Sequence, residues 1–197
     1  ISLADEMKRI CMRVYGGTEE QLWGESDLRN VPDFRYPRAN PSGHVPGWNR
    51  DEFRHLVGLS LDATPRQLLS AYAVATNEAR EMAKRGWLTP RYALQQLGTE
   101  WGRHGYLNTW VDILIRNARS VLDDGYDYHR TQGVLKDGAE YAGVAVADMR
   151  YPNEGCAIQD EGGIVLKLNR PGAGLQGDAA LHTSETSIDE VEEDVLI

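Results

Sequence analysis

A carboxylate and a guanidinium follow a short apolar segment in the second half of the chain. Residues 143–147 read Gly-Val-Ala-Val-Ala, and Asp148 and Arg150 come directly after them. A continuous apolar run of this length predicts a strand buried on both faces of a parallel sheet. Open α/β sheets bind ligands beyond the carboxyl ends of such strands, where an aspartate can hold Mg²⁺ and an arginine can clamp a phosphate. The alternative is a structural turn, in which Asp148 caps the backbone and pairs with Arg150.

A second set of polar residues lies on a helix predicted over 89–103. Arg91, Gln95 and Thr99 are four residues apart and would share one helical face. A row of guanidinium, amide and hydroxyl could bind a phosphate and a base edge together. Gly98 lies inside the same helix, where glycine costs about 1 kcal/mol relative to alanine, so we expect another group to pack closely against it. A polar stripe that faces solvent is the alternative interpretation.

Capping residues and apolar periodicity predict that the first part of the chain is largely helical. Threonine followed by proline, at 64–65 and again at 89–90, supplies a capping hydroxyl and a proline for the first helical position. The segment 30–51 contains Pro32, Pro37, Pro41 and Pro46 and predicts a loop without regular structure. The predicted helices cover 3–15, a short segment that begins near Thr18, 64–85, 89–103 and 109–123.

The sequence pattern changes near residue 143. The apolar run at 143–147 is followed by a predicted helix at 154–161 and by a second apolar strand at 164–168. A strand, a helix and a strand in this order form a βαβ unit, which predicts an α/β fold with a parallel sheet. Residues 170–181 are rich in glycine and polar groups and predict a mobile loop.

Composition argues against two classes of partner. The formal net charge is −9, and a long nucleic-acid backbone requires a basic stripe, whereas a small phosphorylated ligand requires only a few arginines. No run reaches the roughly 18–20 apolar residues of a membrane span. Cys11 and Cys156 lie in apolar-periodic segments, so we expect two buried free thiols rather than a disulfide, which favours a reducing cytoplasm.

Several sequence blocks occur in one order along almost the whole chain and together resemble those of deoxynucleoside monophosphate kinases of the bacteriophage type. Residues 148–154, Asp-Met-Arg-Tyr-Pro-Asn-Glu, are similar to the family's Asp-x-Arg-aromatic-Pro-Asn-Glu motif. Residues 91–103, with Leu-Gln, Leu-Gly-Thr-Glu and Gly-Arg, are similar to its acceptor-site helix, and Trp110 follows as in the family. Weaker matches lie at 2–8, Gly24-Glu25, 162–170 and 182–185.

The resemblance implies a fold and an activity. The fold would be α/β, with a three-layer, P-loop NTPase-like parallel sheet flanked by helices, a helical acceptor-binding region and a lid loop. Residues 1–197 would form a single nucleotide-kinase-like domain, with a helical and loop insertion on the acceptor side at 30–86 and a lid at 170–181. The activity would be transfer of a phosphoryl group from ATP to a deoxynucleoside monophosphate, with Mg²⁺. It would take place in the cytoplasm, of the host if a phage encodes the protein, without polymeric nucleic acid or membrane, and in a homodimer.

The resemblance also implies roles for individual residues. Asp148, Arg150 and Glu154 would be catalytic residues at the reacting end. Asp148 would hold the metal, and Arg150 would neutralise charge in the transition state. Arg170, at the edge of the lid, would contact the donor phosphates. The residues that would bind the acceptor are Arg91, Gln95, Gly98, Thr99, Trp110 and Lys8.

The sequence departs from the family at two points. Tyr92 follows Arg91 where family members can carry a basic residue, which leaves the accepted bases open. No G-x-x-x-x-G-K-[ST] loop occurs, although such a loop supplies the N–H cradle and the lysine for the donor phosphates. We therefore expect that a segment is missing at each end, and that residues 1–197 alone show little turnover.

Three alternatives to this kinase remain open. The chain could be a homologue without a P-loop that binds nucleotide or a protein partner without catalysis. It could be an interaction or structural protein that kept only the fold. It could also be a kinase for another small phosphorylated acceptor, since a fold does not fix its substrate.

Overall fold

The structure is a computed structural model that describes residues 1–38, 47–136, 140–168 and 187–196. Its residues divide into two compact units. The middle unit comprises residues 10–97, and the terminal unit comprises residues 1–9 together with 98–197. The predicted lid at 170–181 and Arg170 lie outside the described residues.

Short helices make up most of the described chain, and the strands are brief. The helices are α1 (Asp5–Tyr15), α2 (Glu19–Trp23), α3 (Gly47–Leu56), α4 (Pro65–Val74), α5 (Asn77–Gly86), α6 (Pro90–Gln95), α7 (Thr109–Leu122) and α8 (Pro152–Asp160), with 3₁₀ segments at Ser26–Asn30 and Ser187–Glu190 and a π-helix at Gln96–Arg103. The strands are β1 (Asp33–Pro37), β2 (Trp87–Leu88), β3 (Asp127–His129), β4 (Gly133–Leu135), β5 (Leu166–Lys167) and β6 (Val195–Leu196).

An aromatic cluster forms one core of the middle unit. The ring centroid of Phe34 lies 5.0 Å from that of Trp87 and 5.9 Å from that of Phe53. Phe53 and Trp87 are 0% and 1% exposed, and Leu68 of α4 completes the buried set. Truncating one such aromatic side chain to alanine typically costs about 3–5 kcal/mol. These contacts therefore account for the folding of a unit that has only one short sheet among its described residues.

The threonine caps form as predicted. Thr18, Thr64 and Thr89 each accept a hydrogen bond from the backbone N–H three residues ahead and begin α2, α4 and α6. The prediction of one helix over 64–85 is wrong, because α4 ends at Val74 and α5 begins at Asn77. Thr76 caps α5 through Ala79 N. A side-chain oxygen that satisfies an orphan N–H allows a new helix to begin there.

The predicted loop at 30–51 contains regular structure at both ends. β1 pairs antiparallel with β2 across a bulge, and α3 begins at Gly47. The buried Phe34 gives β1 its inward face, and Pro37 lies at the end of the strand, where the N–H that it lacks costs least. The prediction of a loop relied on the prolines alone. It missed β1 because the strand that pairs with it, β2, lies far along the chain.

The start of α1 is joined to the β3–β4 hairpin in the terminal unit by buried charges. Arg9 Nη1 donates to Tyr128 Oη at 3.1 Å and to the carbonyl of Arg130 at 3.0 Å. Tyr128 Oη donates to Asp5 Oδ2 at 2.8 Å, and Glu6 pairs with Arg9 at 2.5 Å. Asp5 and Arg9 are each 3% exposed. Because every charged group here has a partner, the network binds the hairpin to the helix without leaving a buried charge uncompensated.

The terminal unit differs from the predicted βαβ unit in its first strand. Residues 143–146 form no strand, and Ala147 makes one isolated parallel bridge with Ser2. Ala145 and Ala147 are exposed, so this segment is not buried on both faces as predicted. The helix prediction is confirmed by α8, and the second strand is β5, which pairs parallel with β6. Apolar composition predicted a strand, but a strand requires a ladder of backbone hydrogen bonds to a neighbour, and the described residues supply one isolated bridge.

The described fold is thus mixed α/β, and each sheet among the described residues has two strands. None of the described helices is long and apolar enough to cross a membrane. Cys11 is buried and free, as predicted, but the prediction that Cys156 is buried is wrong, because its position on α8 is exposed.

Candidate functional site

Asp148 ends the extended segment in an unusual backbone conformation. Its φ is 65°, in the left-handed region that residues other than glycine rarely adopt. The carboxylate accepts hydrogen bonds from Ser2 Oγ at 2.5 Å and from Leu3 N at 3.0 Å. Asp148 therefore caps the backbone that leads into α1. A carboxylate offers about four lone-pair positions, so these two bonds leave acceptor capacity on an exposed side chain.

Glu154 is buried and organises the turn between Asp148 and α8. It lies at the third position of α8, is 2% exposed and accepts hydrogen bonds from Arg150 N at 2.7 Å and Tyr151 N at 3.1 Å. These bonds satisfy two backbone donors at the beginning of the helix. The backbone of Arg150 is thereby fixed between two carboxylates.

Arg103 approaches the same corner from the π-helix. Its Nη2 pairs with Glu154 Oε1, and its guanidinium carbon lies 3.6 Å from the ring centroid of Tyr151. The Arg103 side chain is only 10% exposed, and its Nη1 is buried without a hydrogen-bond partner among the described residues. An unpaired buried donor costs about 1–3 kcal/mol. Such a donor is retained when the other contacts of its side chain outweigh that cost, or when a ligand accepts a hydrogen bond from it.

Burial dominates the electrostatics of this corner. Desolvation raises the pKa of Glu154, while the two backbone N–H groups and the charge of Arg103 lower it in part. The carboxylate therefore depends on these partners to remain ionised in a buried position. We call Asp148, Arg150, Glu154, Arg103 and Tyr151 the polar corner.

Gly98 and Trp110 contact each other directly through a hydrogen bond that is buried inside the protein. Trp110 Nε1 donates to the Gly98 carbonyl at 2.9 Å, and Trp110 is 3% exposed. A Cβ on Gly98 would lie 2.8 Å from Met7 Sδ, which explains why glycine occupies this position. Thr99 is half-buried beside Gly98, and Lys8 is half-buried on α1. The predicted close approach to Gly98 is thus confirmed, and the approaching groups belong to the protein.

The other predicted acceptor residues lie in the middle unit. Arg91 Nε donates to Asn30 Oδ1 at 2.7 Å, and Gln95 is exposed on α6. The helical hydrogen-bond pattern changes from α to π at Gln96. The four-residue spacing that would align Thr99 with Arg91 and Gln95 therefore does not continue as predicted, because a π-helix has more residues in each turn.

The sequence assigned no role to Arg103 or Tyr151, and Arg103 is the one that pairs with the buried carboxylate of this corner. It belongs to the Gly-Arg pair at the end of the block at 91–103, but its partner Glu154 lies 51 residues further along the chain. The available signal was an arginine beside a glycine in a motif that resembles a kinase block. The pairing itself was not visible in the sequence.

Comparison with known proteins found no matching family model, no matching curated protein and no matching solved structure. The functional argument for this chain therefore rests on its own residues.

Proposed function

We propose that this chain belongs to a phosphotransferase that moves a phosphoryl group from ATP to a deoxynucleoside monophosphate. The proposal includes a P-loop NTPase-like parallel sheet, to which β5, β6 and the segment 143–147 would belong. The lid that the resemblance implies at 170–181 lies outside the described residues. Among the acceptor residues that the resemblance implies, the proposal keeps Thr99 and Lys8 of the terminal unit, which are half-buried.

The observation that supports the proposal is the polar corner. Arg103 supplies a buried guanidinium with an unpaired N–H, Glu154 supplies a buried carboxylate, and Asp148 has a left-handed backbone conformation. Arg150 lies between Asp148 and Glu154 in the sequence. Strained backbone and incompletely paired charges concentrate at ligand sites, since packing alone does not favour them. Arginine is the side chain best suited to a phosphate, because its planar fork offers two parallel donors.

The chemistry assigns different tasks to the residues of the corner. The acceptor phosphate has a second pKa of about 6 and is largely ionised at neutral pH, so its attack on the donor needs no general base. Glu154 therefore acts by fixing the backbone of Arg150 rather than by taking a proton. Arg150 would neutralise charge that develops on the transferred group, and Arg103 would support it through Glu154.

The residues present suit a Mg²⁺ ion that the protein binds through one carboxylate. The described residues contain no group of three or more potential ligands that could hold a metal. Mg²⁺ in phosphoryl-transfer sites is commonly bound through one or two carboxylates together with substrate phosphates and water. Asp148, with acceptor capacity left on an exposed carboxylate, would be that ligand. When bound there, the ion would supply positive charge that offsets the charge of the phosphates.

Binding of deoxynucleoside monophosphates tests the acceptor half of the proposal. Titration calorimetry of the folded chain with each of the four should detect at least one, and Arg150→Met should weaken that affinity about tenfold or more, because a charge-assisted phosphate contact is worth about 1.5–3 kcal/mol. Arg116→Met, on the exposed side of α7, is the matched control. Equal affinity of wild type and Arg150→Met would overturn the role of Arg150.

Turnover tests the catalytic half. The protein encoded by the complete reading frame is incubated with ATP, Mg²⁺ and each deoxynucleoside monophosphate, and the deoxynucleoside diphosphate product is measured. A folded protein with an intact P-loop that forms no product with any acceptor would refute the kinase. Binding without turnover in such a protein would favour the non-catalytic homologue.

A further inference from the structure

The Arg103 guanidinium has one donor that no group in the described part of the chain accepts. Its side chain is 10% exposed, and its Nη1 is buried without a hydrogen-bond partner there. Nη2 pairs with Glu154 Oε1, and the Tyr151 ring covers one face of the guanidinium. A guanidinium carries five N–H donors in a fixed fork, so one arginine can bind a carboxylate and a second anion together. The pair with Glu154 therefore leaves one binding direction of Arg103 unused.

The backbone that carries Arg103 is held in place. The carbonyl of Gly102 accepts hydrogen bonds from Tyr106 N at 2.9 Å and from Thr109 Oγ1 at 3.1 Å. The Trp110 indole packs against Gly102, where a Cβ would lie 2.5 Å from Nε1. Because both its backbone and its guanidinium are fixed, Arg103 loses little further conformational freedom when a ligand binds, and such preorganisation raises affinity.

Two arginines and the start of a helix lie together at this corner. Glu154 Oε2 accepts from Arg150 N at 2.7 Å, so one carboxylate joins the Arg103 guanidinium to the backbone of Arg150. The nine-residue helix α8 begins two positions after Arg150, which brings the positive end of its dipole to the same place. The Asp148 carboxylate is hydrogen-bonded to the chain that leads into α1. A phosphate, with its several acceptor oxygens and negative charge, is the ligand chemistry that matches these donors.

We propose that Arg103 binds a phosphate group directly, with Nη1 donating to a phosphate oxygen while Nη2 keeps its pair with Glu154. The inference rests on the proposed function and goes beyond it, because there Arg103 only supports Arg150. Nη1 is closed to solvent, and the half-buried Tyr151 ring that lies over the guanidinium moves aside when the phosphate enters. The phosphate belongs to the acceptor monophosphate, to ATP or to free inorganic phosphate, and the experiment separates these sources.

Inorganic phosphate tests the site without a nucleotide and without a substitution. NMR spectra of isotope-labelled guanidinium groups are recorded on the folded chain during titration with phosphate, and sodium chloride of equal ionic strength is the reference. The Arg103 signals are identified by their absence from the spectrum of Arg103→Lys. We expect phosphate to shift these signals and chloride to leave them in place. Arg103 signals that phosphate does not shift would overturn the inference, because water would then be the partner of Nη1.

Two lysine variants measure what the guanidinium fork contributes. Arg103→Lys keeps a positive charge beside Glu154 but lacks the planar fork, so calorimetric titration should show phosphate affinity at least about tenfold below that of wild type. Arg119→Lys makes the same change in the exposed pair with Glu161 and should leave this affinity unchanged. Phosphate should also raise the Tm of wild type and of Arg119→Lys more than that of Arg103→Lys. Equal phosphate affinity of Arg103→Lys and wild type would contradict a direct contact.

Nucleotides identify the source of the phosphate and separate this inference from the proposed function. A deoxynucleoside without phosphate should leave the Arg103 signals in place. A shift with a deoxynucleoside monophosphate assigns the site to the acceptor, and a shift with ATP alone assigns it to the donor. Phosphate that shifts Arg103 while no nucleotide binds would refute the proposed function and support this site. Nucleotide binding that leaves the Arg103 signals unshifted would refute this site and leave the proposed function standing.

Discussion

Arg103 and Glu154 form a pair in which each side chain depends on the other. Burial raises the pKa of Glu154, and one guanidinium and two backbone N–H groups oppose that rise. The Arg103 guanidinium in turn packs over the ring of Tyr151 and retains an Nη1 that is unpaired among the described residues. Removing one partner of a buried pair is costly because the remaining charge is left uncompensated. The polar corner is therefore sensitive to single substitutions in a way that surface ion pairs are not.

We expect Arg103→Met to lower the free energy of unfolding by about 3 kcal/mol, the scale for breaking a buried ion pair. Adding Glu154→Gln should recover part of this loss, since the amide oxygen still accepts from the backbone but carries no charge. Urea unfolding of wild type, both single variants and the double variant measures the coupling. Arg119→Met removes the exposed pair with Glu161 and should have little effect. A similarly small effect of Arg103→Met would contradict this account of the corner.

Among the elements, the π-helix at Gln96–Arg103 contains two buried glycines, Gly98 and Gly102, that lie directly against neighbouring side chains. A Cβ on Gly102 would lie 2.5 Å from Trp110 Nε1 and 2.7 Å from its Cε2, within the buried interior of the terminal unit. Trp110 also donates to Gly98 O, so the indole is fixed from two sides. π-Helical turns are frequent at functional sites, and this one ends at Arg103.

Gly102→Ala is expected to destabilise the chain by about 2 kcal/mol or more, because the new methyl overlaps a tryptophan that cannot withdraw. Gly105→Ala is the matched control, since a Cβ there meets no atom within 4 Å. That variant should be neutral or stabilising by up to about 1 kcal/mol. Thermal unfolding of the two variants compares them directly. A Gly102→Ala protein as stable as Gly105→Ala would show that Trp110 moves easily.

At the scale of the whole molecule, the two cysteines report on different environments. Cys11 is 3% exposed in the core of the middle unit, and burial raises its pKa to about 11. About one such thiol in a thousand is ionised at pH 8, and only the thiolate reacts readily. Cys156 is exposed on α8 in the terminal unit.

Iodoacetamide at pH 8 should therefore label Cys156 quickly and Cys11 at least about a hundredfold more slowly, since Cys11 must wait for the middle unit to open. Mass spectrometry of the digested protein measures each rate. A low concentration of urea should increase the labelling rate of Cys11 and leave that of Cys156 nearly unchanged. The Cys156→Ser variant should show only the slow labelling of Cys11. Equal rates for the two thiols in the native protein would show that Cys11 is not protected.

The local features of this fold were accessible from the sequence. Thr18, Thr64 and Thr89 predicted helix starts correctly because capping acts between residues three positions apart. The close packing at Gly98 was also predictable, because a helix accepts glycine only at a cost. Asp148, Arg150 and Glu154 were recognisable as one cluster, since they lie within seven positions of each other.

Tertiary structure decided the features that depend on distant partners. β1 formed because Asp33 and Pro37 pair with Leu88 and Trp87. Residues 143–146 form no strand, and in the described residues this segment is bridged only at Ala147, to Ser2. Arg103 joined the polar corner through a partner 51 residues away. Sequence alone determined where the threonine-capped helices α2, α4 and α6 begin and which residue types could bind phosphate. Pairing of strands and of buried charges required the folded chain, since their free energy comes from groups that only folding brings together.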